Sequence, residues 1–184
     1  MLKNFKRVVA VLLMVLALGL QGCVSAGVGG LNSFIDSTDG YRFLYPNGWL
    51  SVKVANGPDV VFHDIIEQTE NISMVINPVP GKKKLSDLGT PTEVGYQLGK
   101  SAIAPPDSGR TAELIRADER QIADRTYYLL EYLVTLPNQE KRHNLASAIV
   151  YRSKLYTMNA STSEARWEKM APLLIKSVKS FKVD

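Results

Sequence analysis

The stretch RTAELIRADERQIADRTYYLLEYLVTLP, residues 110–137, decides the fold. Apolar and polar side chains alternate along it with the period of two that marks a strand, and the alternation breaks at Ala123-Asp124. Two long strands joined by so short a turn must pair antiparallel, because a parallel pair needs a crossover of a dozen residues or more. The stretch that follows, KRHNLASAIVYRSKLYTMNAS (residues 141–161), repeats the device around Arg152 to Lys154. Successive long hairpins commit the chain to a mainly antiparallel sheet.

Upstream, shorter β-rich segments extend the sheet. FIDS, then the turn at Asp39-Gly40, then YRFLYP predicts two strands, with Tyr41, Phe43 and Tyr45 alternating against Arg42 and Leu44. This aromatic set, with Trp49, reads as core rather than as a ligand cage. LSVKV, DVVFHDII and ENISMVINPV are Val- and Ile-rich and bounded by turn residues, so they add three strands. GKKKLSDLG reads as a surface loop.

Two helices are predicted. TPTEVGYQLGKSAI, residues 90–103, opens with a capping box, Thr90 with Glu93, and has Pro91 at the first helical position. STSEARWEKMAPLLIKSVKSF, residues 161–181, opens with a second box, Ser161 with Glu164. Its stripe of Trp167, Met170, Leu174, Val178 and Phe181 must lie on the sheet, and Pro172 should kink or interrupt it. The expected class is α+β: an antiparallel sheet of six or more strands flanked by helices.

The N-terminus has another grammar. Lys3, Lys6 and Arg7 precede the apolar run VVAVLLMVLALGL, long enough for a secretory signal and short for a membrane span. It closes on LQGC, whose Cys23 is the only cysteine and follows the order of a bacterial lipobox, with diacylation of the thiol expected. Residues 1–22 are thus expected to be a lipoprotein signal peptide, 23–33 a lipid-anchored tether and 34–184 the folded domain. Of 22 Lys and Arg, the leader takes three; the 19 that remain face 18 Asp and Glu. So balanced a mature chain offers no bulk charge for nucleic acid. No nucleophile elbow, Walker loop, zincin helix or dinucleotide fingerprint occurs in the sequence, and no enzymatic activity is expected.

Three segments carry a resemblance: FIDSTDGYRFLYPNGW (34–49), RHNLASAIVYRSKLY (142–156) and RWEKMAPLLIKSVKSFKV (166–183). Together they resemble the PsbP family of photosystem II, and with the lipobox they resemble its cyanobacterial lipoprotein branch. The resemblance implies an α-β-α sandwich on the lumenal side of the thylakoid membrane, monomeric and without catalysis. Its implied partners are photosystem II core subunits or assembly intermediates. Plant members help to retain calcium and chloride through an extended N-terminal segment, which the short uncharged tether here does not resemble. An assembly or stabilising role is therefore expected, with ion retention, or a metal- or small-ligand-binding lipoprotein of the same fold, as alternatives.

The resemblance also singles out His143 and Glu164, which match a divalent-metal pair in the family; no cofactor is required, and weak zinc or calcium is the ion expected. His63 is a further metal candidate, with Asp59 or another chain completing the set, although neighbours on a strand such as His63 and Asp64 point to opposite faces. Lys82, Lys83 and Lys84 form the single charge run, a solvated loop or a docking patch for an acidic surface.

Overall fold

The computed structural model describes residues 29–82 and 84–184. The expected signal peptide, Cys23 and the expected tether up to residue 28 lie outside the described residues, as does Lys83.

Among the described residues, ten strands form two antiparallel sheets. β1 (Leu31–Asp36), β2 (Tyr41–Pro46) and the two-residue β10 (Lys182–Val183) make the smaller, in the order β1-β2-β10. The larger has seven strands, β3 (Leu50–Val52), β4 (Val60–His63), β5 (Asn71–Pro78), β6 (Thr111–Ile122), β7 (Arg125–Thr135), β8 (Lys141–Tyr151) and β9 (Lys154–Ser163), ordered β3-β4-β5-β9-β8-β7-β6. Both long hairpins form where the alternation placed them. Arg152 and Ser153 take φ of +47° and +57°, the two positive values of a type I′ turn, which matches the twist of the flanking strands.

The helices lie on opposite faces. α1 (Pro91–Leu98) starts as predicted: Thr90 Oγ1 accepts from Glu93 N, and the Glu93 carboxylate accepts from Thr90 N. It runs into a π-helical turn (Gly99–Ile103), and Val94, Leu98 and Ile103 pack on Tyr128, Leu130, Tyr132 and Val150. On the other face α2 (Trp167–Ser180) and the small sheet cover Tyr127, Leu145, Ile149, Tyr156 and Met158 with Tyr41, Phe43, Met170, Leu174, Val178 and Phe181. β8 is therefore buried on both faces, and its side chains from His143 to Val150 are buried without alternation. Pro172 withholds one N–H from the carbonyl of Glu168, yet α2 continues to Ser180. The guanidinium of Arg120 donates to the carbonyls of Lys179 and Phe181 at its end, a cation where the helix dipole is negative.

Three expectations need correction. The first strand starts at Leu31, three residues ahead of the FIDS segment, and Leu31 is already paired with Pro46 and buried. The box at Ser161 and Glu164 does not form: Ser161 stays in β9, paired with Asn71 and Asn144, and a 3₁₀ turn (Glu164–Arg166) separates β9 from α2. The lysine loop contains a 3₁₀ turn, Leu85–Asp87, anchored by buried Leu85. The small second sheet, which holds the FIDS and YRFLYP strands apart from the seven-stranded one, is also additional to expectation.

Candidate functional site

Register and turn geometry bring His143 and Glu164 together. His143 sits on β8 opposite Thr162 of β9, and Glu164 follows two residues later in the 3₁₀ turn. His143 Nδ1 lies 2.9 Å from Glu164 Oε2. On the other side, Glu131 of β7 is opposite Leu145 and hence diagonal to His143, and its Oε1 lies 2.8 Å from His143 Nε2. The second oxygen of Glu131 takes Arg116 Nη2 at 3.3 Å. The indole of Trp167, the first residue of α2, stacks flat on the imidazole with centroids 3.6 Å apart and planes 6° from parallel.

These contacts fix a ring that is 6 % exposed between two carboxylates, Glu131 at 16 % and Glu164 at 41 %. A neutral imidazole has one N–H and donates to one of them; doubly protonated, it donates to both and sits as a cation between two anions. The cluster joins β7, β8, the 3₁₀ turn and α2 at one end of the sheet. The pairing of His143 with Glu164 was expected, whereas Glu131 and Trp167 were missed. Glu131 did leave a signal, as the lone charge inside the apolar run TYYLLEYLVT.

Among the described residues, His63 meets no other candidate ligand. Its Nδ1 lies 2.9 Å from the backbone oxygen of Asp64, whose carboxylate instead accepts from the N–H groups of Ile66 and Glu67. Those bonds, that from Glu67 foremost, hold the Asp64 carboxyl below its ordinary range. Asp59, the partner considered for His63, accepts from the Tyr41 hydroxyl, and burial followed by that bond pushes the phenol well above its ordinary range. Asp59 gathers instead with Asp36 and Asp39, their oxygens within 4.8 Å of one another, a group no local spacing reveals. Each member is engaged: Asp36 Oδ1 accepts from the N–H groups of Thr38 and Asp39, and Asp39 pairs with Lys154 at 3.0 Å. Lys84 is exposed and Lys82 half-buried, both at the approach to the 3₁₀ turn of Leu85.

A neighbouring knot fastens the same end of the sheet. Glu70, 1 % exposed, accepts from Thr162 Oγ1 at 2.7 Å and from Arg166 Nε at 2.5 Å. The bond to Glu70 raises the Arg166 guanidinium further above its already high range. A buried carboxylate is tolerated only when paired and hydrogen-bonded, and this one is both.

An antiparallel sheet with a helix on each face, a small three-stranded sheet beside the C-terminal helix and a carboxylate-bracketed histidine at one end defines an α+β sandwich of the PsbP type. The PsbP family profile matches residues 29–183, so the chain belongs to the PsbP family, with the cyanobacterial CyanoP proteins. It is 47 % identical to the CyanoP of Thermosynechococcus vestitus over 182 residues, covering 97 % of this chain and 98 % of that one. With the CyanoP of Synechocystis it shares 41 % over 184 residues, 98 % of each chain. The solution structure of the Synechocystis protein superposes with a TM-score of 0.73 at 43 % identity, covering 90 % of this chain and 99 % of that one.

Proposed function

We propose that this protein is a non-enzymatic accessory protein of photosystem II, held on the lumenal side of the thylakoid membrane by a lipid on Cys23, and that it docks on core subunits or assembly intermediates to support assembly or stability. Identity of 41 % and 47 % along nearly the whole length of two cyanobacterial CyanoP proteins carries the reading. The chemistry of the His143 cluster agrees with it: both ring nitrogens are held by carboxylates and one ring face by Trp167, an arrangement that fastens elements together rather than presenting a base to a substrate. A short tether raises the effective concentration of the domain for a membrane-embedded partner, which favours docking by a modest surface. Lys82, Lys83 and Lys84 are the proposed contacts for an acidic partner surface.

Affinity purification of the tagged full chain from thylakoid membranes tests the reading. Recovery with photosystem II subunits is expected, and crosslinking in the membrane then identifies the docked face. Recovery with no photosystem II subunit at any assembly stage overturns it. Cys23→Ser should move the protein from the membrane to the soluble fraction, and reversing the three lysine charges should weaken binding at low salt.

Weak zinc or calcium binding at His143 and Glu164 is a second reading, favoured by their 2.9 Å contact. The fit is partial. Zinc takes three or four protein ligands, and Glu131, the third acid of the cluster, is on the opposite ring nitrogen. Calorimetry with either ion on the wild type and on His143→Ala decides it; equal heats from both exclude the site.

A further inference from the structure

On the α1 face of the sheet, across β8 from the histidine cluster, lies an open cleft of about 310 Å³. Its walls carry the guanidiniums of Arg110 and Arg142 and the side chains of Asn71, Asn144, Asn159 and Ser161. The volume is at the small end of the range for ligand sites. Arg110 also lines an adjoining cleft of about 200 Å³ with Lys100, and no Asp or Glu lines either. Three cations thus border a concave surface without a counter-charge in its walls, in a chain whose mature charges nearly balance. Low-dielectric walls of one sign concentrate the potential inside such a recess.

The hydrogen bonds in the cleft run one way. Arg142 Nε and Nη2 donate to Ser161 Oγ at 3.0 and 2.9 Å, and Nη2 also donates to the backbone oxygen of Thr69. Ser161 Oγ donates to Asn144 Oδ1 at 2.9 Å, and Asn144 Nδ2 donates to Asn159 Oδ1 at 3.3 Å. Ser161 Oγ, Asn144 Oδ1 and Asn159 Oδ1 each already accept a bond, while Arg142 Nη1 and Asn159 Nδ2 have no protein acceptor among the described residues. Arg142 spends its bonds on neutral oxygens although it is substantially desolvated. Burial, and then the charge of Arg110, lower its affinity for its proton. Glu70 and Glu140 act on it from a distance, and the Glu70 carboxylate is committed to Arg166 and Thr162. A wall with spare donors and two guanidiniums that bond no carboxylate among the described residues suits a ligand that is all acceptor.

We infer that this cleft is a binding site for a small organic oxyanion, a carboxylate or a phosphate monoester, held between Arg110 and Arg142 with Asn159 as a further donor. The guanidinium fork matches the geometry of both groups.

The test is a titration of the isotope-labelled full chain in neutral detergent, read by nuclear magnetic resonance. One arm uses inorganic phosphate, a second succinate, and the reference is sodium chloride at matched ionic strength. Saturable shifts at the Arg142 Nε–H and the Asn144 and Asn159 side-chain amides, with Kd in the millimolar range or tighter, are expected in at least one arm, and the responding arm identifies the group. Arg110→Gln, at an exposed side chain, should weaken that binding about tenfold or more, whereas Lys176→Gln, at an exposed side chain on α2, leaves it unchanged. Shifts that fail to saturate, that sodium chloride reproduces, or that survive in Arg110→Gln overturn the assignment. Because Arg142→Gln also breaks bonds to Ser161 and Thr69, it is informative only with the fold checked by its amide spectrum.

Discussion

His143→Ala is the most informative single perturbation of the fold, because three contacts of different kinds converge on one ring. The bond to Glu131, only 16 % exposed, is charge-assisted and worth about 1.5–3 kcal/mol. The bond to Glu164, 41 % exposed, is screened by solvent and worth about 0–1 kcal/mol. Stacking on Trp167 adds about 0.5–1.5 kcal/mol. The alanine variant should therefore lose about 2–5.5 kcal/mol, and a domain of this size would melt about 4–20 °C lower. Glu164→Gln should lose less than about 1 kcal/mol, and Glu131→Gln should fall between them, since Arg116 also depends on that carboxylate. Urea unfolding of the three variants, followed by tryptophan fluorescence, gives the order directly; Trp167 reports on the cluster itself. If Glu164→Gln costs as much as His143→Ala, the exposed bond is the important one and solvent screening has been wrongly applied. A cost below about 1 kcal/mol for His143→Ala would mean that the buried bond to Glu131 contributes nothing net.

Gly89 takes φ of +131°, and an added Cβ would lie 2.9 Å from the Glu93 carboxylate that caps α1, so Gly89→Ala should destabilise by about 1–3 kcal/mol in the same urea assay. Glu70→Leu removes the acceptor of the buried Thr162 hydroxyl and of Arg166 and should cost about 1–3 kcal/mol, with amide exchange rising first around the 3₁₀ turn of residues 164–166. The Glu93 carboxyl is held below its ordinary range, chiefly by the Thr90 N–H and then by the Thr90 hydroxyl. A depressed folded-state value means that the cap stabilises above the unfolded value and is lost as pH falls through the folded one. An acid titration followed at the Glu93 side chain should show its midpoint below that of an exposed glutamate, and Thr90→Val should return it toward the ordinary range.

Most of the fold was legible in the period of two across residues 110–163, because a hairpin is a local object: its strands, turn and register are all specified within two dozen residues. The bulge between Leu114 and Arg116 was not, since it shows only when β6 is paired with β7. It shifts the alternation by one residue, so that Leu114 and Ala117 both pack on the α1 side while Ile115 is 50 % exposed. The false capping box has a similar cause. Ser161 and Glu164 have the right spacing, but Ser161 is bonded to Asn144 and Arg142 in the ladder, and α2 starts only at Trp167, after the 3₁₀ turn. Cross-strand partners such as Glu131, and loop partners such as Asp36 with Asp59, are set by register and topology, and their sequence separations contain no signal of the contact.

The alternation of β8 also separates the histidine cluster from the anion cleft. His143 faces α2 with Leu145 and Ile149, whereas Arg142 and Asn144 line the opposite face. The two sites are thus adjacent in sequence and back to back across one sheet. They meet again one strand over, where β9 gives Ser161 to the cleft and leads straight into Glu164 of the cluster. The β8–β9 ladder is paired continuously from Arg142 with Ser163 to Tyr151 with Lys154, and the cleft bonds of Arg142 and Asn144 include no atom of His143, Glu131 or Glu164. Perturbations on one face should therefore leave the other nearly unchanged, and the costs should add. Departure from additivity between His143→Ala and Arg110→Gln would show that the ladder itself shifts. The same geometry would let an anion occupy the cleft without disturbing the fastening of α2 by Trp167 and His143.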